Sequence, residues 1–205
     1  MKHLFFVVLA LLTVSCGSNP QNDTHTSPKA ASLVTKHEHA NVSVWLPNYM
    51  QVSKTDYNGG NASVYFMSNQ LCGGLSARVL IDVTANEGLA TISEYYKKYG
   101  NLSAIQELVD QFKEKMYQLS LHSIRKGMIN FSSGAKQIVS ISGVEFDVVT
   151  YNAEFHGRPV IGKMYTATDI EAGKSYYFRV QDHIECKNER YYPLVDSIEA
   201  MVISH

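Results

Sequence analysis

Few side chains in this chain could do covalent or metal chemistry. Cys72 stands before Gly73 and Gly74, so its sulfur would lie beside backbone N–H groups at a bend. A nucleophile there needs a nearby base and a lowered thiol pKa, and no histidine is local. His183, Glu185 and Cys186 are close in sequence and form a conceivable Cys–His pair. One reading is therefore a thiol-dependent hydrolase using Cys72 or Cys186 with a histidine. The leading reading is that Cys72 and Cys186 bond to each other, as an even pair in an oxidising compartment. His37 and His39 flank Glu38 and could share a metal along a strand, but no third ligand is in view, so a solvated linker is expected. His156 and Arg158 could touch an anionic partner, although a solvated turn explains them. Alternation sets Glu145 and Asp147 opposite Phe146 and Val148, and Glu154 is likewise read as a polar-face residue, so these carboxylates are expected to face solvent. Phosphate-loop, H-E-x-x-H, C-x-x-C and G-x-S-x-G patterns are absent. Nothing calls for a cofactor or a metal. Tyr95, Tyr96 and Tyr99 crowd one segment, and Tyr191 and Tyr192 another, which leaves room for a carrier with a Tyr-lined ligand groove; core packing explains most of them first.

The remaining cysteine, Cys16, has a different setting. Lys2 gives a positive start, residues 4–12 are unbroken apolar, and Thr13, Val14 and Ser15 lead into Cys16. Charged, apolar and small regions in that order read as a secretory signal. The run is too short to span a bilayer, which takes about 20 apolar residues. A cysteine directly after a small residue at the cleavage point resembles the lipobox of bacterial lipoproteins, with Thr13 where that pattern prefers Leu. The resemblance implies a diacylglyceryl thioether on the Cys16 sulfur, cleavage just before it, and palmitate-type chains holding the protein to a membrane. Each buried CH₂ of such chains contributes about 0.8 kcal/mol. Gly17 and Ser18 follow, with no Asp after the cysteine. In a Gram-negative host this resembles the pattern sent to the periplasmic face of the outer membrane. An ordinary secretory signal, with Cys16 as a free thiol, is the plainer alternative.

Composition limits what such a protein does. Removing the signal leaves about 190 residues, enough for one domain with a real core. Net charge is −1 and no segment is strongly basic, which argues against nucleic acid as a partner. From residue 17 to about 36 the chain is Ser, Asn, Gln, Thr and Pro with few apolar side chains. That composition reads as a flexible tether, on the order of 25 Å from end to end. The expected organisation is a signal at 1–15, the lipidated Cys16 and tether at 16–40, and one domain at 41–205.

The elements that position these residues follow from periodicity. Val42, Val44 and Leu46 alternate as a strand, Pro47 bends it, and a turn centred on Asn58, Gly59 and Gly60 closes an opening hairpin. Leu75, Ala77, Val79, Ile81 and Val83 alternate as a third strand. Thr91 with Glu94, and Ser103 with Gln106, resemble capping boxes for two helices, the first ending at Gly100. In the second helix Ile105, Leu108, Val109, Phe112, Met116 and Leu119 form one face, expected to pack on the sheet. Residues 128–131 and 137–141 read as strands joined by a turn at 132–134. A three-stranded antiparallel meander then runs from Val144 to Val180, and Pro193 opens a closing helix with Tyr191, Leu194, Val195, Ile198 and Met201 on its apolar stripe. The fold expected is α+β, a twisted antiparallel sheet (opening hairpin plus C-terminal three-stranded meander) covered by helices.

In that order of elements the domain resembles the PsbP-like superfamily, which includes DcrB-type bacterial lipoproteins. Val44-Trp45-Leu46-Pro47, Ile141-Ser142-Gly143-Val144, Phe155-His156-Gly157-Arg158-Pro159 and Tyr192-Pro193-Leu194-Val195-Asp196-Ser197-Ile198 carry the resemblance. It implies a non-enzymatic accessory that binds protein or envelope components, and it brings no catalytic triad or metal site.

Overall fold

Strand alternation sorts the domain into layers. The computed structural model describes residues 34–58, 61–99, 103 and 105–204. The signal, Cys16, most of the tether, the turn residues Gly59 and Gly60, and the expected helix stop Gly100 lie outside them. A small antiparallel sheet has the order β1-β2-β11, from β1 (Val34–His39), β2 (Val42–Pro47) and β11 (Val202–Ile203). The large antiparallel sheet contains β3 (Met50–Asn58), β4 (Asn61–Cys72), β5 (Leu75–Ala85), β6 (Ile129–Ser133), β7 (Gln137–Ile141), β8 (Val144–Phe155), β9 (Arg158–Asp169) and β10 (Lys174–His183). Its order is β3-β4-β5-β10-β9-β8-β6, with β7 also on β8. The hairpin and the meander therefore meet where β5 pairs with β10, and the α+β class is as expected.

One face of the large sheet packs on the small sheet and the closing helix α3 (Tyr192–Glu199). Val44 and Leu46 of β2, Phe66, Ile81, Phe146, Phe178 and Ile198 are fully buried in that layer. Burying each such side chain stabilises the fold by about 1.5–3 kcal/mol. The expected stripe of α3, from Tyr191 to Met201, is buried throughout. On the opposite face, helix α2 (Gln106–Lys126) lays Tyr117 and Ile124 against Val149, Tyr151, Val160 and Met164. Helix α1 (Glu87–Tyr99) buries Leu89 and Ser93, and Ser93 donates to the Glu171 carbonyl at 3.1 Å in the β9–β10 turn.

Several expectations are corrected. The tether was placed up to residue 40, yet residues 34–39 form β1. Its polar sequence conceals alternation: His37 and His39 turn inward onto Phe66, while Lys36 and Glu38 stay outside. Residues 129–133 and 137–141 do not fold back on each other. Both run antiparallel to β8, at Tyr151–Glu154 and Val144–Val148, as one interrupted edge. Helix α1 starts a turn earlier than its expected capping box, because the Asn86 carboxamide oxygen accepts from the N–H groups of Gly88 and Leu89 at 2.9 and 3.4 Å. Thr91 lies inside the helix and donates to the Glu87 carbonyl at 3.0 Å. Helix α2 begins at Gln106, and Ile105 stands at its N-cap position. Its buried seam is Val109–Tyr117–Ile124, so Leu108 and Leu119 point outward, each 54% exposed.

Candidate functional site

The bend Cys72-Gly73-Gly74 joins β4 to β5 and meets the segment that follows β10. Cys72 and Cys186 are disulfide-bonded, with Cα atoms 6.4 Å apart across 114 residues of sequence. Gly73 has φ +56, and a Cβ there would lie 2.5 Å from Nε2 of the buried His183 ring, so only glycine lets the bend close on that imidazole. Arg190, itself buried, completes the joint. Its Nε donates to Asp182 Oδ2 at 2.9 Å and its Nη2 bonds Asp182 Oδ1. Nη1 donates to the Gln70 carbonyl at 2.7 Å, and Nη2 also reaches the Leu75 carbonyl at 3.5 Å. The fork thereby ties the end of β10 to both strands beside the bend. Sequence reading missed the Asp182–Arg190 pair, which no motif or spacing marks.

This geometry corrects the thiol-hydrolase reading: both sulfurs are bonded to each other, and neither is a thiol. His183 Nδ1 accepts from the Glu185 N–H at 3.4 Å, with the Glu185 carboxylate 3.7 Å away. His183 thus serves the turn after β10. His37 and His39 lie 6.3 Å apart, centroid to centroid, and His39 Nδ1 is 2.6 Å from the Tyr57 hydroxyl. Burial lowers the pKa of both imidazoles. Among the described residues no group of three His, Cys, Asp or Glu is placed to hold a metal ion. His156 and Arg158 lie in and beside an exposed two-residue turn between β8 and β9.

Core packing, the first reading of the tyrosines, accounts for the most buried of them. Tyr151, Tyr165, Tyr176 and Tyr191 fill the core. Tyr95 and Tyr99 form an exposed ring pair on α1, 4.4 Å between centroids.

A cleft of about 400 Å³ opens between α2 and strands β7, β8 and β9. Met116 of α2 and Ile138 of β7 contribute to its apolar lining, and Thr166 and Thr168 of β9 line it beside them. Glu145 and Asp147 lie opposite Phe146, as alternation requires, Glu145 exposed and Asp147 half-buried, and both edge this cleft. Lys136 bridges its two sides, 3.1 Å from Glu114 on α2 and 3.5 Å from Asp147 on β8. Its Nζ is 4.9 Å from the centre of the Tyr117 ring. Burial works against that ammonium, but Glu114 and Asp147 outweigh it and raise its pKa. Hydrogen bonds from Gln118 and Lys136 hold the Glu114 carboxyl below its usual range. Asp110, Glu114, Glu145 and Asp147 outnumber Lys113 and Lys136 in the walls, so the cleft is net negative. No motif or periodicity pointed to Lys136, which sits in the short loop between β6 and β7.

No helix among the described residues is long and apolar enough to cross a membrane. No protein-family profile and no curated protein matches the chain. Solved structures with a similar backbone path include cyanobacterial PsbP (CyanoP) from Synechocystis sp. PCC 6803, at 10% identity and TM-score 0.49, covering 84% of this chain and 94% of that one. LpqN, involved in cell envelope biogenesis of Mycobacterium tuberculosis, is similar at 8% identity and TM-score 0.48, covering 84% of this chain and 91% of that one. PA94, a protein of unknown function from Pseudomonas aeruginosa, is similar at 11% identity and TM-score 0.45, covering 84% and 98%. The chain is an α+β domain whose likeness to these three structures, PsbP among them, is one of backbone arrangement.

Proposed function

We propose that this chain is a lipid-anchored, extracytoplasmic, non-enzymatic binding or accessory protein of the cell envelope. The Cys72–Cys186 disulfide carries the reading. Such bonds persist where the surroundings are oxidising, which suits an exported domain. The bond also consumes two of the chain's three cysteines, and the third, Cys16, directly follows the apolar run and small residue of the signal. Acyl chains on that sulfur hold the domain at a membrane surface, the periplasmic face of the outer membrane where the host has one. Confinement raises the effective concentration of envelope partners without any new contact.

The net-negative cleft between α2 and β8 is the contact surface this reading favours, and its complement is a protein segment offering an apolar side chain and a positive charge. Cross-linking in the native membrane tests the reading. A benzophenone side chain at position 138, at the cleft, is expected to capture an envelope protein, and one at position 34 is not. Recovery of the mature wild-type protein in the soluble fraction, with no captured partner, overturns it.

A further inference from the structure

The large sheet carries two guanidinium groups that its own residues do not neutralise. Across β4, β5 and β10, Tyr65 stands opposite Leu80 and Leu80 opposite Arg179. Asp82 stands opposite Tyr177, and Arg78 opposite Gln181. Side chains two residues apart share a face, so Arg78, Arg179, Tyr65, Tyr177 and Asp82 form one patch on the side away from Phe178. All five are partly exposed, so a solute reaches them.

Arg190 shows how this fold saturates a structural arginine: one carboxylate and two carbonyls meet its fork. Arg179 has no such set. Its Nη2 reaches the Tyr65 hydroxyl at 3.5 Å, the long limit of a hydrogen bond, and it also bonds the Tyr177 hydroxyl. Five N–H donors thus meet two phenol oxygens. Arg78 lies over the Phe155 ring, 4.4 Å from its centre, a contact that engages the guanidinium face and none of its N–H donors. Among the described residues no carboxylate is within ion-pair distance of either group. The one acid in the patch, Asp82, takes a 3.4 Å hydrogen bond from Thr84, and burial raises its pKa. Holding a half-buried charge without a counter-ion is costly. Two planar forks with spare donors match the oxygens of a phosphate or carboxylate.

We propose that the Arg179–Arg78 patch, with the Tyr65 and Tyr177 hydroxyls, binds an anionic group, either a free phosphate or carboxylate solute or the same chemistry on a lipid headgroup. The site is separate from the cleft at Lys136 and does not depend on the Cys16 anchor.

Inorganic phosphate and succinate, each titrated into the ¹⁵N-labelled mature protein at constant ionic strength, test it. Saturable amide shifts are expected at Tyr65, Leu80, Tyr177 and Arg179. Arg179→Gln is expected to weaken binding by about tenfold or more, and Arg179→Lys to recover part of it. A vesicle arm uses the Cys16→Ser protein. Co-sedimentation with phosphatidylglycerol but not phosphatidylcholine vesicles, lost in Arg179→Gln, identifies a headgroup; binding of the free ions without that preference identifies a solute. Should Arg179→Gln fail to fold, Arg78→Gln and the wild-type shift map decide. Shifts that do not saturate, that fall outside the patch, or that persist at full affinity in the folded variants overturn the proposal.

Discussion

The ring of Tyr151 on β8 lies across Gly162, its directly paired neighbour on β9. A Cβ on Gly162 would meet the ring Cζ at 2.1 Å. From there the Tyr151 hydroxyl donates to Gln181 Oε1 on β10 at 3.1 Å, so one side chain spans three strands. Gly162→Ala has to displace a fully buried ring, and overpacking of this kind costs about 1–3 kcal/mol. Tyr151→Phe keeps the ring and loses only the buried hydrogen bond, about 1 kcal/mol. Urea unfolding of the two variants checks the order; a neutral Gly162→Ala would contradict it.

The joint at the β4–β5 bend gives a second prediction. In the chain-entropy treatment the Cys72–Cys186 closure contributes about 4–5 kcal/mol, and removing one partner of a buried ion pair costs about 3–5 kcal/mol. Cys72→Ser with Cys186→Ser, and Arg190→Met separately, are both expected to lower the midpoint of denaturation strongly. Their combination should cost less than the sum, because both hold the same connection. Full additivity in a double-mutant cycle would show that the two act independently.

Strand β1 should loosen in acid. Burial lowers the pKa of His37 and His39 below the ordinary histidine value of about 6.5, and His37 adds to the effect on His39. The released strand therefore binds protons that the docked strand refuses, and stability rises with pH wherever that holds. Docking is complete above about pH 6.5 and is lost progressively as pH falls below it. The Lys36–Glu38 pair on the outer side does not compensate, since Lys36 keeps the Glu38 carboxyl below its usual range and thus charged through this window. Trp45, the only tryptophan, pairs with Lys36 across β1–β2 and reports the event. Its emission is expected to shift between pH 6.5 and 5, and to stay constant in His37→Phe/His39→Phe. An unchanged wild-type spectrum over that range would refute docking by neutral imidazoles.

Helix α2 offers a test of which face is buried. Leu108→Ser and Leu119→Ser should stay within about 0.5 kcal/mol of wild type, whereas Ile124→Ala should cost about 2–5 kcal/mol. Thermal or urea unfolding distinguishes the two groups directly.

What the sequence disclosed follows the range of its signals. Alternation in β5 and along stretches of β8 and β10, and the glycine turns between strands, placed the hairpin and the meander, since both are local features. The β5–β10 pairing that joins them is not local. The same limit hid the Asp182–Arg190 pair and the bridge from Lys136 to Glu114 and Asp147, whose partners lie up to 22 residues apart. Strand β1 escaped notice because its inward residues are His37 and His39, which composition assigns to a linker. The α2 seam was misplaced because Leu108 and Leu119 drew the face toward themselves, while Tyr117, polar at one end, sits at its centre. Cys72 and Cys186 were paired correctly on compartment grounds, with no geometry to support it.

Intact-mass analysis of the mature protein extracted from its own membrane tests the central claim most directly. The account predicts a chain beginning at Cys16, heavier than the peptide by a diacylglyceryl group and one or more palmitate-sized acyl chains, with Cys16→Ser neither processed nor acylated. An unacylated wild-type product, starting elsewhere or carrying a free thiol at Cys16, would contradict it.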